Sequence, residues 1–370
     1  MKSYAWFRLP REEQFTQVEQ CEGAPEVVGS LAELNGKQGF VFAPFEPSAA
    51  CPILLFHPDR VATGPVEPAC GASDAALQPL SGEKQRQQYA HDFSLFHAEL
   101  VAGRFSKIVL SRSMEVALDQ PLQLRESFMS ACQLYPRAFV ALVSSPRCGT
   151  WLMATPEILL SGDGGHYATM ALAGTMRLTR ESQGFDVPGS HFDASSIRWS
   201  DKNIHEQHCV ETYLVERLSQ FSSHIEKQGP YTARAGQLVH LRTDLRFRLP
   251  DARHLGDVLL ALHPTPAVCG LPKEQAWRFI LDNESSARRY YSGFCGLLDF
   301  QGRTRLFVSL RCMNIGDRSV RLYAGGGLLQ ESAEQQEWEE TEAKMETMRR
   351  LLWLPPTTAP CSPPTVGRAT

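Results

Sequence analysis

Residues 323–348 read YAGGGLLQESAEQQEWEETEAKMETM, a glycine run followed by a strongly acidic stretch. Three consecutive glycines on their own are typical of a turn. Ser332 and Gln335 have the spacing of a capping box, which favours a helix start at this point. The segment therefore predicts a turn that leads into an acidic helix.

The predicted helix carries polar side chains on one face. Spacings of three and four residues bring together Glu337, Glu340, Thr341 and Lys344. Two carboxylates one turn apart, with a lysine on the next turn, are suited to hold a hard cation beside an anion. The alternative is a solvated face crossed by salt bridges, which a charge run alone favours.

Composition excludes several classes of protein. The chain has 370 residues and a formal net charge of −4, which argues against nucleic-acid binding and gives no reason to expect a membrane partner. Ten scattered cysteines without a CxxC pair indicate reduced thiols. The N-terminus lacks the apolar region of a secretory signal, and no apolar run approaches the ~18 residues of a membrane helix. We expect a soluble cytoplasmic protein.

Strand and helix patterns mix without regular βαβ alternation, which favours an α+β fold over a doubly wound sheet. The predicted strands cover residues 40–45, 53–56, 107–118, 139–144, 150–160, 167–172, 238–249, 293–299, 303–314 and 320–324. The predicted helices cover residues 85–100, 122–135, 200–221 and 255–262, with one more from Lys273 and the acidic helix last. We expect one domain over residues 1–354, of which 1–85 are hard to assign. Residues 355–370 contain five prolines and predict a disordered tail.

The helix predicted from residue 200 offers two kinds of metal ligand. His205 and Cys209 lie one turn apart, with His208 close by, which suggests zinc. The spacing is not that of HExxH, and no third cluster of soft ligands is evident, so zinc is the weaker alternative. Glu206 is suited to magnesium, which prefers carboxylates and keeps waters. Its alternative is an ordinary, partly exposed helix carboxylate.

Three charged residues lie in apolar surroundings. Lys107 opens an apolar strand, and in a closed site it would be a general base; otherwise it extends to solvent. Glu157 in TPEILL is a general acid if it is buried and protonated, or a turn glutamate facing water. Arg311 in FVSLRCMNI needs an anionic partner, either a substrate carboxylate or an internal acid.

The ordered motifs KIVLSR, TPEILL, ALAGT, SDKNIHE, LHPTPAVCGLP, YYSGFCGLLD, FVSLR, YAGGGLL and EWEETEAK resemble the chorismate-utilising enzymes. That family includes anthranilate synthase component I, aminodeoxychorismate synthase component I, salicylate synthase and isochorismate synthase. The resemblance covers about residues 85–350. It implies a large single domain of two orthogonally packed β-sheets covered by helices.

Within the family the details are most similar to isochorismate synthase. Lys107 resembles the members that use water, whereas the ammonia-using anthranilate synthases usually have glutamine there. Ala173 also resembles the water users, because aminodeoxychorismate synthases often place a nucleophilic lysine at that position. The PTPA loop is less similar to salicylate synthase, which stays the alternative. No glutamine amidotransferase subunit is then implied, and we expect a monomer or weak dimer.

The resemblance also implies roles for individual residues. Glu206 and Glu340 would hold Mg2+, and Glu337 would act through water. Lys107 would activate water for attack at C2 of chorismate, and Glu157 would protonate the departing C4 hydroxyl. The implied substrate-binding residues are Gly174, Thr175, His263, Arg311, Tyr323, Gly325, Gly326 and Lys344. The product would be isochorismate, for menaquinone or catechol siderophore biosynthesis.

Two positions depart from the family pattern. Asn203 replaces a usual acidic residue, and Gln207 replaces a usual histidine beside Glu206. These changes put the metal affinity in question. They are also the only support for a further alternative, in which the protein is a non-catalytic homologue that acts as a binding protein.

Overall fold

The computed structural model describes residues 2–68, 82–177, 197–235 and 238–352, which form two nine-stranded antiparallel sheets and six α-helices. The strands are β1 Ser3–Arg8, β2 Gln14–Gln20, β3 Glu26–Val28, β4 Gly39–Ala43, β5 Ile53–Phe56, β6 Arg60–Pro65, β7 Lys107–Ala117, β8 Phe139–Ser145, β9 Gly149–Thr155, β10 Ile158–Asp163, β11 His166–Arg177, β12 Ile225–Ala235, β13 Leu238–Arg248, β14 Gly270–Leu271, β15 Phe294–Phe300, β16 Arg303–Val308, β17 Cys312–Ile315 and β18 Ser319–Leu328. The helices are α1 Gly82–Val101, α2 Leu124–Leu134, α3 Asp201–Leu218, α4 Leu255–Leu262, α5 Lys273–Asn283 and α6 Glu334–Arg349.

Sheet I has the strand order β14-β7-β18-β17-β9-β8-β1-β2-β6, and sheet II the order β12-β13-β11-β10-β16-β15-β4-β5-β3. The α+β prediction with two helix-covered sheets is confirmed. Most strands of residues 1–68 escaped prediction, yet β1 pairs with β8 in sheet I and β4 pairs with β15 in sheet II. The N-terminal segment is therefore built into both sheets.

Aromatic side chains from both sheets form the layer between them. Alternate residues of a strand point to the same face, so Phe40 and Phe42 of β4 both enter this layer. Phe139 of β8 stacks on Phe307 of β16, with ring centroids 4.1 Å apart and an interplanar angle of 4°. The outer faces are covered by helices: α3 and α4 pack on sheet II, and α2 and α6 pack on sheet I.

The chain passes from one sheet to the other at two neighbouring places. Residues 150–160, predicted as one strand, divide at Pro156–Glu157 into β9 of sheet I and β10 of sheet II. Residues 303–314 likewise divide at 309–311 into β16 of sheet II and β17 of sheet I. Proline has no N–H for a sheet ladder, and Arg311 has a φ of 45°, so neither strand can continue. We call these places crossing 1 and crossing 2.

The two crossings lie side by side. Val308 N donates to Glu157 O at 3.0 Å, and Ala154 N donates to Arg311 O at 3.0 Å. These hydrogen bonds replace the sheet ladder where the strands end. They bring Glu157 and Arg311 to one place in the molecule.

Two further predictions for residues 323–348 were wrong. The three glycines do not form a turn but lie in β18, paired with β7. Ser332 does not cap α6, whose N-cap is Ala333; its hydroxyl instead accepts from Leu329 N and donates to Glu337 Oε1. Residues 355–370 and the side chain of Thr175 lie outside the described part of the structure. Among the described helices none is both long and apolar enough to span a bilayer.

Candidate active site

A cavity opens where the crossings meet β18 and α3. Its lining includes six of the residues singled out in the sequence: Glu157, Gly174, Glu206, Arg311, Gly325 and Lys344. They come from both sheets, from the two crossings, and from α3 and α6. The fold thus brings together residues that are up to 187 positions apart (344 − 157 = 187).

Lys107 and Glu206 form a buried ion pair beside this cavity. Lys107 is fully buried, and its Nζ lies 3.0 Å from Glu206 Oε1. Burial acts to raise the pKa of Glu206, but the positive charge of Lys107, with help from two other lysines, lowers it. Gly327 makes room for the pair, because a Cβ there would lie 2.3 Å from Glu206 Oε1 and 2.9 Å from Lys107 Cε.

Glu157 is a buried acid on crossing 1. Burial raises its pKa to about 8, although the positive charge of Lys107, followed by those of Arg311 and Lys344, acts in the opposite direction. Its carboxyl is therefore protonated at neutral pH and suited to donate a proton.

The acidic face of α6 points towards the glycines of β18. A Cβ on Gly326 would lie 3.0 Å from Glu337 Oε2 and 3.9 Å from Glu340 Oε1. Lys344 Nζ lies 2.6 Å from Glu340 Oε1 and donates to Gly325 O at 2.9 Å. The predicted polar face of this helix is thus directed inwards.

Each of the three carboxylates is paired with a lysine: Glu206 with Lys107, Glu340 with Lys344, and Glu337 with Lys202. Among the described residues, no group of three His, Cys, Asp or Glu side chains is arranged so that it could hold a metal ion by itself. One carboxylate oxygen is nevertheless free to bind a cation, because Glu337 Oε2 is buried and has no hydrogen-bond partner among these residues. Oxygen donors of this kind suit Mg2+, which binds few carboxylates and keeps several waters.

Arg311 brings a buried positive charge to the cavity and forms no ion pair with the described residues. It is buried, and no carboxylate of the described residues lies within 4.0 Å of its guanidinium. Its Nη2 lies 3.3 Å from Nε2 of His240, whose pKa burial holds well below the ordinary range. A neutral His240 accepts this hydrogen bond and leaves the cation available to an anionic ligand.

Sequence reasoning missed three residues of this site. His240 and Tyr291 line the cavity, and Lys202 binds Glu337 from the first turn of α3. His240 interrupts an apolar run in β13, which is the one signal that pointed to it. Lys202 and Tyr291 lie within the motifs SDKNIHE and YYSGFCGLLD, but no role was predicted for either.

Three predicted substrate-binding residues lie outside the cavity lining: His263, Tyr323 and Gly326. His263 Nε2 contacts Pro44 O at 3.2 Å, and burial with Lys273 nearby lowers its pKa to about 3. Tyr323 packs in the layer between the sheets, stacked on Trp151 and Tyr291. The side chains of His263 and Tyr323 therefore contact the protein interior and not the cavity. Thr175 pairs with His240 at a bulge in β11.

The structure does not support the zinc alternative, because His205, His208 and Cys209 do not form a metal-binding group. His205 Nε2 lies 3.6 Å from Cys209 Sγ, but His205 and His208 are exposed and no described side chain completes a cluster. The two departures from the family pattern lie outside the cavity lining. Asn203 packs against Gly174, whose φ of 69° favours glycine, and Gln207 donates to Thr243 Oγ1 at 2.8 Å.

A larger cavity of about 680 Å³ lies elsewhere, lined by residues such as Leu9, His166, Arg246 and Phe307. It contains none of the paired lysines and carboxylates. Because a reactive site needs converging acids, bases and anion-binding groups, we assign the chemistry to the smaller cavity.

Residues 68–353 match the sequence family described as chorismate binding enzyme. The vibriobactin-specific isochorismate synthase of Vibrio cholerae is 29% identical over 315 residues, which cover 84% of this chain and 78% of that protein. Isochorismate synthase DhbC of Bacillus subtilis is 33% identical over 264 residues, which cover 69% of this chain and 65% of that protein.

Among solved structures, the menaquinone-specific isochorismate synthase MenF of Escherichia coli superposes with a TM-score of 0.77. The match covers 95% of this chain and 89% of that chain at 22% identity, so it supports the fold alone. The match over residues 68–353 and the relative at 33% identity go further: this chain belongs to the family of chorismate-binding enzymes.

Proposed function

We propose that this protein is an isochorismate synthase, an Mg2+-dependent isomerase that converts chorismate reversibly to isochorismate. The observation that carries the proposal is the buried Glu157 carboxyl, which shares a cavity with Glu206 and Arg311. The names of the relatives support the same activity.

The reaction exchanges one water for another. Lys107 acts as the general base towards a water that attacks C2 of chorismate. The double bonds shift, and Glu157 gives its proton to the C4 hydroxyl, which leaves as water. Substrate and product are therefore isomers, and the ionised Glu157 serves as the base in the reverse direction. Arg311 and Lys344 orient the substrate carboxylates.

Glu206 and Glu340 would hold Mg2+, with Glu337 adjacent. The free Oε2 of Glu337 fits this assignment, and so does the lack of a side chain at Gly326, where a Cβ would lie 3.0 Å from this oxygen and 3.9 Å from Glu340 Oε1. When bound, the ion supplies positive charge that offsets a substrate carboxylate. Water as the nucleophile needs no ammonia, so we propose that no glutamine amidotransferase subunit takes part.

The proposed product is isochorismate, without further elimination of pyruvate. One relative is named vibriobactin-specific isochorismate synthase, and another is named isochorismate synthase MenF. We propose that the product serves menaquinone or catechol siderophore biosynthesis, both of which start from the same compound.

The test is to incubate the purified protein with chorismate and MgCl2 and to identify the product by chromatography and NMR. We expect isochorismate, loss of turnover in EDTA and recovery with Mg2+. Fluorescent salicylate as the main product would replace this function with salicylate synthase. No conversion of chorismate would overturn the activity, and turnover that EDTA leaves unchanged would overturn the metal assignment.

Lys107→Ala is expected to abolish the hydration of chorismate. It also leaves the buried Glu206 carboxylate without its partner, so we expect the free energy of unfolding to fall by about 3 kcal/mol. The double variant K107A/E206Q removes the unpaired charge, and its stability should return towards that of the wild type while activity stays absent. Normal turnover in Lys107→Ala would remove Lys107 from the role of base.

A further inference from the structure

Glu337 is held from one side only. Lys202 Nζ and Ser332 Oγ both bind its Oε1, with the serine at 2.8 Å, whereas Oε2 is buried and has no hydrogen-bond partner in the described residues. A carboxylate rotates freely unless its oxygens are engaged, and two donors on one oxygen fix the direction of the other. Glu337 Oε2 thereby faces Gly326, on the same side as Glu340 Oε1.

The same contact joins two elements that belong to different layers. α3, which carries Glu206, packs on sheet II, and α6, which carries Glu340, packs on sheet I. Among the ion pairs of the described residues, Lys202–Glu337 is the one that directly links these two helices. A cation that takes oxygens from both helices requires their separation to be fixed.

We propose that Lys202 is a positioning residue that, with Ser332, aims Glu337 Oε2 at the cation site and sets the spacing between α3 and α6. The inference rests on the proposed Mg2+ site and extends it to a residue that touches neither substrate nor the reacting atoms. Loss of such supporting contacts typically weakens metal binding by about 10–100-fold.

The test is the dissociation constant of Mg2+, measured by calorimetry on the metal-free full-length protein. We expect Lys202→Met to raise this constant by about tenfold or more, and Ser332→Ala to raise it by a smaller factor. Lys202→Arg, which keeps the charge and the donor, should restore binding close to the wild-type value. At saturating Mg2+ the kcat of Lys202→Met should recover, because the reacting groups are unchanged.

Lys227→Met is the matched control. Lys227 also binds a glutamate of α3, Glu211, at 3.2 Å, but neither residue lines the cavity. This variant should bind Mg2+ like the wild type. Thermal unfolding in EDTA shows whether each variant is folded, and Ser332→Ala tests the same contact without any change of charge if Lys202→Met does not fold.

An unchanged or smaller dissociation constant in Lys202→Met or Ser332→Ala, with normal binding by the wild type, would overturn this inference alone. If the wild-type protein bound no Mg2+, the cofactor assignment and the inference would both fall. The two failures are therefore distinguishable in a single set of titrations.

Discussion

Burial gives the Glu157 carboxyl a pH-dependent effect on stability. Its pKa is about 8 in the folded protein against an ordinary 4.5, so the folded state binds more protons than the unfolded state between these values. Its contribution to stability is full below about pH 4.5 and is lost as the pH rises towards 8. Glu157→Gln keeps the size and shape of the protonated carboxyl but does not titrate, so it removes this pH dependence of the stability.

We therefore expect wild-type protein to lose a few kcal/mol relative to Glu157→Gln when the urea midpoint is followed from about pH 5 to pH 9. Turnover of the variant should fall by about 100-fold or more, because amides do not donate the proton. Parallel stability curves for the two proteins would contradict the raised pKa.

The residues of the site differ in how far the sequence reveals them. Glu337, Glu340 and Lys344 were predictable because helical spacing alone places them on one face. Lys202 was not, because its partner Glu337 lies 135 positions away and only the tertiary fold brings them together. His263 illustrates the reverse case, since a motif histidine lies outside the cavity lining and binds backbone carbonyls instead.

At the level of elements, apolar runs located most strands but did not show where the strands end. Residues 150–160 and 303–314 each contain a change of sheet, and because apolar residues resume directly after it, each stretch was predicted as one strand. The glycine run was misassigned for a related reason. Glycines favour turns locally, but here they extend a strand so that carboxylates can approach its backbone.

This packing predicts opposite outcomes for two neighbouring glycines. In Gly327→Ala the new methyl group would overlap the buried Lys107–Glu206 pair, with 2.3 Å to Glu206 Oε1, so we expect loss of activity and of stability. In Gly326→Ala the nearest atom is Glu337 Oε2 at 3.0 Å, which can shift by a few tenths of an ångström.

Steady-state kinetics and thermal unfolding of both variants check this prediction. Gly326→Ala should keep most of its kcat with a modestly higher Mg2+ requirement. Equal kcat values for the two variants would show that the pair in β7 and α3 is not confined by the strand as described.

At the level of the whole molecule, the layer between the sheets aligns the two crossings. Phe307 stacks on Phe139 across this layer, and the next residue, Val308, binds the backbone of Glu157. Phe307→Ala should lower the free energy of unfolding by about 3 kcal/mol or more and should also lower kcat.

Phe128→Ala is the control, because Phe128 is equally buried but packs between α2 and sheet I. Its stability should fall by a similar amount while kcat is retained. Urea unfolding and chorismate turnover at a temperature where both variants are folded distinguish the two effects. A normal kcat in Phe307→Ala would show that catalysis does not depend on the alignment of the sheets by Phe307.

The two crossings have a consequence for how activity appears when the chain refolds. Glu157 and Arg311 lie on the links between the sheets, and sheet I combines strands from the start, middle and end of the chain. No fragment containing one sheet can hold the proposed proton donor and the proposed anion-binding arginine in register. Chorismate turnover should therefore return only with the final docking of the two sheets, later than the recovery of secondary structure.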